Sequence, residues 1–421
     1  MTARRRFLKQ AGALALGGCA IPSARAARAR VVVIGGGYGG ATAARYLNEW
    51  SAGALDVVLV DRDPAFVSCP MSNLVIGGTL ALADITYPYD ALVRRGIRHV
   101  QDVATHIDTD RRRVSLARGA SIAYDRLVVS PGIDFIWDAL PAFADTRVRE
   151  RYPHAWKAGP QTLALRRQLE SMRAGGVFAI CIPLAPFRCP PAPYERACQA
   201  ADWLARMNPR AKVLVLDAND DVLSKKELFT RAWRERYPGI VEYRPNCALI
   251  DVDAATGTAK FEFADDVVAD VLNVIPPQRA GAIAADAGVI TANGRWCEVD
   301  FLTFESIKVN NVHVLGDAIQ TAPLMPKSAH MANQHAKVCA AAIVALMSGA
   351  PVEAAPVMAN ACYSFMSAGL AAHVASVHRY DAAQRTFLPV QGAGGVSPAI
   401  TALEAQYGRA WAQNIRADSF G

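Results

Sequence analysis

The chain of 421 residues holds nine cysteines, yet no two of them are spaced as C-x-x-C. Its eight histidines form no cluster at ligand spacing, so neither a zinc nor an iron–sulfur centre is expected. After Arg30 there is no uninterrupted apolar run of 18 residues, so no membrane-crossing helix is expected in that part of the chain. Low-complexity tracts and repeats with a period of about 20 to 50 residues are also missing, which argues against disorder and against a solenoid. What remains is an ordinary globular balance, 52% apolar and 20% charged. At about 100 to 200 residues per domain the length predicts two or three domains, enough to bury a large cofactor.

The formal charge of +7 looks basic, but Arg4, Arg5, Arg6, Lys9 and Arg25 all precede Ala26 with no acidic residue among them. Without these five the excess is +2, which removes the main argument for nucleic-acid binding. The same residues belong to a recognisable layout: Arg4-Arg5-Arg6-Phe7-Leu8-Lys9, an apolar stretch from Ala11 to Ile21, then Ala24-Arg25-Ala26. Residues 1–26 resemble a twin-arginine export signal, with cleavage expected near Ala26 and the mature chain in the periplasm. That route moves folded proteins and suits a chain that takes up its cofactor before export. Leu16-Gly17-Gly18-Cys19 has only a loose likeness to a lipobox.

Val31-Val32-Val33-Ile34 reads as a buried parallel strand, followed at once by Gly35-Gly36-Gly37-Tyr38-Gly39-Gly40 and a helix-like Ala41–Leu47. In this strand–turn–helix unit Gly35 permits the tight turn, Gly37 admits a pyrophosphate to the backbone, and Gly40 lets helix pack on strand. A second strand, Asp56–Asp61, ends in a carboxylate 21 residues after Gly40, where a ribose 2′-hydroxyl is held. A dinucleotide is therefore expected here.

FAD rather than NAD is argued by a distant segment. Val312-His313-Val314-Leu315-Gly316-Asp317, followed by Lys327 and a helix-like stretch from Ala329 to Met347, resembles the second flavin motif of the glutathione-reductase-like superfamily. That resemblance implies that Gly316, Asp317 and Lys327 belong to the cofactor site, with Asp317 on the ribityl chain and the helix N-terminus aimed at the flavin ring. The two motifs lie about 280 residues apart, so a second domain must be inserted between them. In pyridine-nucleotide disulfide oxidoreductases that domain repeats the glycine loop for NAD(P)H. Here the strand Gly176–Cys181 is followed by Ile182-Pro183-Leu184-Ala185-Pro186-Phe187-Arg188-Cys189-Pro190-Pro191, without a glycine, so NAD(P)H is not expected to bind. Ala211–Asp217 still reads as the next strand. The fold expected is α/β: two Rossmann-like domains of the glutathione-reductase type, an FAD domain from 27–160 and 281–350 and a degenerate nucleotide domain at 161–280, with a C-terminal α+β interface domain at 351–421.

Eight cysteines follow Ala26, and spacing alone cannot pair them. Cys181, Cys198, Cys297 and Cys339 read as buried inert thiols. Cys189 differs, because its proline-rich loop replaces a nucleotide loop and would face the flavin. Pro186–Ala197, Ile275-Pro276-Pro277-Gln278-Arg279-Ala280-Gly281, Ala361-Cys362-Tyr363-Ser364, and the closing Asn414-Ile415 and Asp418–Gly421 together resemble flavocytochrome c sulfide dehydrogenase flavoproteins. A near relative is the flavoprotein associated with the Sox system. The resemblance implies a redox-active disulfide between Cys189 and Cys362, FAD bound covalently through its 8α position to Cys69, and a proton-shuttling role for Glu195. It also implies a cytochrome c partner in a heterodimer, carrying the haem that this chain lacks. The chain departs from the family pattern in flanking Cys69 with Ser68 and Pro70, where an aromatic residue is usual. A helix-capping or ion-pairing role for Glu195 stays open.

On this reading hydrosulfide attacks the disulfide, one cysteine becomes a persulfide, and the other passes two electrons to FAD. Aromatic residues after 360, including Tyr363, Phe365, Tyr380, Phe387, Tyr407 and Trp411, suit either a partner surface or plain core packing. Two alternatives remain: a sulfide:quinone reductase, and an accessory flavoprotein that binds and reactivates a sulfur carrier.

Overall fold

A computed structural model describes residues 28–421. The signal-like segment and Cys19 lie outside the described residues. Arg30–Ile34 is buried along almost its whole length, as a strand flanked on both sides must be. It pairs in parallel with Asp56–Asp61 on one side and Arg126–Val129 on the other. Arg98–Gln101 and Val312–Val314 complete a five-stranded parallel sheet. Because Val312–Val314 sits beside Arg126–Val129, two segments far apart in sequence end side by side at one rim.

The helices following these strands, Tyr38–Trp50 and Ala329–Ser348, pack against each other. Their close approach depends on small residues. A Cβ on Gly40 would lie 1.8 Å from the Gly35 carbonyl oxygen, and one on Gly39 would lie 2.5 Å from the Leu315 side chain. Ala329–Ser348 begins where the Ser328 hydroxyl accepts from the Met331 N–H and stops at Gly349, whose φ of +72° is left-handed. The observed helix is one residue longer than the apolar pattern predicts.

The inserted region folds around a second parallel sheet ordered Val241–Arg244, Lys212–Asp217, Val177–Ile182, Val271–Val274. A third layer is an antiparallel sheet of Val357–Ser367, Leu370–Asp381 and Thr386–Val396, covered by the helix Ala402–Phe420. That helix returns to the first domain. The Asp418 carboxylate accepts from Tyr46 at 2.5 Å and Asn333 at 2.7 Å, and Phe420 stacks on Phe66 at 5.3 Å. The two nucleotide-type sheets and the α+β tail agree with the fold class expected from the sequence. Among the described residues no helix is long and apolar enough to cross a membrane.

Candidate active site

All three layers contribute to one cavity of about 660 Å³, within the range of roughly 300 to 1,000 Å³ usual for cofactor sites. At one end lies the glycine turn. Gly35 has φ +95°, and a Cβ there would lie 2.3 Å from the Ser130 carbonyl oxygen, so only glycine fits. Gly37 caps the helix Tyr38–Trp50 without a side chain, leaving the mouth of that helix open to an anion. The Asp61 carboxylate accepts from the Gly36 N–H at 2.5 Å and the Asp63 N–H at 2.9 Å, and burial pushes it above the usual carboxylate range. Gly40 does not line the cavity; it acts by letting helix meet strand.

Gly316, Asp317, Lys327 and Ser328 line the same cavity, and Gly316 adjoins the glycine turn, since Cβ atoms on Gly39 and Gly316 would both meet the Ser130 hydroxyl. One carboxylate oxygen of Asp317 is buried with no hydrogen-bond partner. An orphaned buried acceptor costs about 1–3 kcal/mol, so this oxygen calls for a donor such as a polyol hydroxyl. Burial pushes the Asp317 carboxyl up while Arg188 and Lys327 pull it down. Lys327 is a strut: its Nζ donates to the carbonyls of Asp317 at 3.0 Å and Ile319 at 2.5 Å, and lies 3.7 Å from the centre of the Trp296 ring. Burial lowers it to about 7, against the pull of Asp317. The open helix mouth, the held Asp61 and the unpartnered Asp317 oxygen all fit FAD.

Three cysteines, Cys69, Cys189 and Cys362, also line the cavity. Cys69 follows the short strand Ala65–Val67, with its carbonyl held by the Ser72 N–H at 3.0 Å and hydroxyl at 2.7 Å. Its Sγ accepts from Arg188 at 2.8 Å. Cys189 sits in a left-handed backbone conformation, φ +54°, and its N–H donates to the Lys327 carbonyl at 2.7 Å. The proline-rich loop is thereby fastened to the segment that follows Asp317. Cys362 comes from the strand Val357–Ser367 and lines the same cavity. Both are free thiols in the structure. Burial pushes both up; the charge of Lys225 opposes this on Cys362, and the neighbouring Cys362 adds to it on Cys189.

Glu195 lies in the first turn of the helix Ala192–Met207. One carboxylate oxygen accepts from Asn73 at 2.8 Å and the other from the Phe365 N–H at 2.8 Å. Burial still raises it above the usual range, despite both donors. Glu195 thus ties the Cys69 segment to the Cys362 strand. Arg196 beside it is buried and reaches Asn73, Asn273 and the carbonyls of His154 and Ala155.

The sequence pattern assigns no role to Arg188, Lys225, Asn73 or Arg196. Arg188 stood inside the proline-rich string without a role, and Lys225 sits in a charged run that reads as solvated surface. Of the suggested aromatics, Phe365, Phe387 and Tyr380 are core, Tyr407 is exposed, and Tyr363 and Trp411 line the cavity. Cys181, Cys198, Cys297 and Cys339 are buried, as expected of inert thiols.

In the second domain the carboxylate at the equivalent strand end, Asp217, is already occupied. It accepts from Tyr194 at 2.7 Å, from the Asn219 amide at 2.6 Å and backbone at 3.0 Å, and from Tyr243 at 3.2 Å. Nothing is left there for a ribose.

Residues 162–276 match the family model for the central domain of the sulfide dehydrogenase (flavocytochrome c) flavoprotein chain. Residues 354–420 match the flavin-binding domain of flavocytochrome c sulphide dehydrogenase, and residues 29–152 match pyridine nucleotide-disulphide oxidoreductase. A flavocytochrome c sulfide dehydrogenase flavoprotein chain from Chlorobaculum thiosulfatiphilum is 52% identical over 46 residues, 11% of this chain and 94% of that sequence. A mitochondrial sulfide:quinone oxidoreductase from Dictyostelium discoideum is 24% identical over 300 residues, 68% of this chain and 65% of that protein. An NADH dehydrogenase-like protein of Mycobacterium tuberculosis is 38% identical over 125 residues, 28% of this chain and 30% of that protein. The chain thus spans less than two thirds of the length of either of these last two. The crystal structure of sulfide:quinone oxidoreductase from Aquifex aeolicus has the same fold, with TM-score 0.77 at 19% identity, covering 93% of this chain and 92% of that one.

Proposed function

The chain belongs to the flavocytochrome c sulfide dehydrogenase flavoprotein family, and from that premise we propose that it oxidises hydrogen sulfide to sulfur or polysulfide through Cys189, Cys362 and FAD. The observation that carries this reading is the meeting of two thiols from different domains on the wall that also holds Gly35, Asp61 and Asp317. The working oxidised form has a disulfide between Cys189 and Cys362. Hydrosulfide attacks one sulfur, the S–S bond breaks, and its electron pair leaves on the other cysteine as thiolate. Lys225 makes Cys362 the better leaving group, since its charge favours the Cys362 thiolate and acts more strongly on Cys362 than on Cys189. Attack is therefore assigned to Cys189, which becomes the persulfide. Release of sulfur and closure of the disulfide give up two electrons. FAD, when bound, takes up those two electrons and returns them singly.

Gly35, Gly37 and Asp61 would hold its adenosine and pyrophosphate end, Asp317 its ribityl chain, and Cys69 its ring through a covalent bond. Glu195, whose carboxyl burial raises, would exchange the proton of the incoming sulfide. The acceptor is a cytochrome c subunit carrying the haem, docked on the region after residue 350, and the complex works in the periplasm after twin-arginine export. A quinone acceptor is the second reading, favoured by the likeness to sulfide:quinone oxidoreductases. The flavocytochrome family matches at 162–276 and 354–420 favour the cytochrome.

Anaerobic titration of the purified mature protein tests the reading. Sulfide is expected to bleach the flavin stoichiometrically and NADH to leave it unchanged. The sulfide-reduced protein is then mixed with cytochrome c or with a short-chain ubiquinone, and faster reoxidation by cytochrome c is expected. Bleaching by NADH would refute the proposal, and reoxidation by quinone alone would replace the acceptor. An accessory flavoprotein would bind its carrier partner without sulfide-driven turnover.

A further inference from the structure

Arg188 precedes the redox cysteine, yet its side chain serves a different sulfur. Its guanidinium donates to Cys69 Sγ at 2.8 Å and to the Trp156 carbonyl. No carboxylate lies within ion-pair distance of it among the described residues. The backbone on which it stands is fixed: the Arg188 N–H donates to the Gln278 side chain at 3.0 Å, and the neighbouring Phe187 is buried edge-on to Trp156 at 6.3 Å. Arg295 secures the same loop, donating to the Gln278 carbonyl at 2.8 Å and the Pro186 carbonyl at 3.1 Å. A cation held this firmly against a cysteine on a cofactor cavity stabilises negative charge on that sulfur, and the thiolate is the nucleophile.

We propose that Arg188 is the positioning residue for covalent attachment of the flavin: its guanidinium, 2.8 Å from the sulfur, fixes Cys69 on the cavity wall and stabilises the charge that develops there as the sulfur bonds to the 8α carbon. This rests on the reading that FAD attaches to Cys69. In the step, the S–H bond of Cys69 and one C–H bond of the 8α methyl group break, both protons leave to solvent, and a sulfur electron pair becomes the new S–C bond. The ring system ends two electrons richer and is returned to the oxidised state by dioxygen or by the cytochrome acceptor. The loop that supplies the redox cysteine therefore also matures the cofactor site, and after attachment Arg188 keeps its bond to the Trp156 carbonyl.

The test measures the bond, not turnover. Wild type, C69S, R188K and R188Q are produced in parallel and precipitated with acid. Flavin fluorescence in the denatured band and the intact mass report covalent FAD, and absorbance before precipitation reports total FAD. Wild type is expected to retain FAD and C69S to release it. R188Q should hold FAD before precipitation but keep about tenfold less of it covalently, the scale expected when a charge-assisted hydrogen bond to a nucleophile is lost. R188K, which keeps the cation, should fall between. Covalent FAD at the wild-type level in R188Q overturns the proposal. So does loss of all FAD from both Arg188 variants, since Arg188 would then hold the cofactor itself. Release of FAD from the wild type as well would instead show that the Cys69 attachment is wrong.

Discussion

A buried ammonium is expensive unless something nearby uses its charge. Lys225 is 6% exposed, sits at φ +54° at the head of the helix Lys226–Arg236, and forms no ion pair among the described residues. Burial lowers its proton affinity, while Cys362, Glu195 and Cys189 pull the other way, in that order. The sulfur pair and the lysine therefore depend on each other, and replacing Lys225 with methionine should leave shape and remove charge. In the reduced protein, alkylation of Cys362 by iodoacetamide should then need a higher pH, and sulfide-driven flavin reduction at pH 7 should slow about tenfold or more, in line with the loss of a charge-assisted contact. An alkylation profile that does not move would reduce Lys225 to a structural residue. Nothing in the sequence pointed to it: in Asp220-Asp221-Val222-Leu223-Ser224-Lys225-Lys226 the two lysines look equivalent. Lys226 takes the surface pair with Asp221 at 2.6 Å, and the left-handed turn sends Lys225 inward. Cys189, by contrast, was legible because its prolines forbid the glycine turn that a nucleotide needs.

Between strand and helix, the proline-rich loop is held by Asp217, a carboxylate at the strand end where a ribose-binding acid would stand. Asp217 binds Tyr194 at the start of the helix Ala192–Met207, and it also binds Asn219. Asn219 in turn clamps the loop, accepting from the Ala185 N–H at 3.0 Å and donating to the Pro183 carbonyl at 3.1 Å. Replacing Asp217 with alanine would take the acceptor from the buried Tyr194 hydroxyl and Asn219 N–H and from the partly buried Tyr243 hydroxyl, and would free one end of the loop. The expected cost is about 2–4 kcal/mol, measured by chemical denaturation, since each unsatisfied group costs about 1–3 kcal/mol. Turnover with sulfide should fall and no NADH oxidation should appear; a gain of NADH oxidation would mean that the nucleotide pocket survives behind the network. The strand Lys212–Asp217 could be read from its apolar run, and the missing glycines showed that the domain had lost its nucleotide loop. The hydroxyl that fills the vacancy could not be foreseen, because Tyr194 comes from an earlier helix and no periodicity links it to Asp217. Helix Ala329–Ser348 was legible almost to its ends, since a capping serine, a long apolar stretch and a terminal glycine all agree there.

Over the whole molecule, the last turn of the chain closes on the first nucleotide-binding unit. Phe420 is buried against Tyr38, Phe66, Tyr87 and Tyr89, and Phe66 borders Gly37, so the tail buttresses the wall of the cofactor cavity. Phe420→Ala should cost about 3–5 kcal/mol and loosen flavin in a C69S background, where only non-covalent contacts hold it. Asp418 adds a part that depends on pH. Burial would raise its carboxyl, but Lys337, Tyr46 and Asn333 outweigh burial and hold it below the usual range. A folded-state value below the unfolded one makes the contribution full above the ordinary carboxylate value of about 4 and lost as pH falls through the folded value. The stability gap between wild type and Asp418→Asn, followed by denaturant titration, should therefore stay level from about pH 5 to 7 and close on further acidification. A gap unchanged to pH 3 would mean that the asparagine loses only hydrogen-bond geometry and that charge on Asp418 does not fasten the tail.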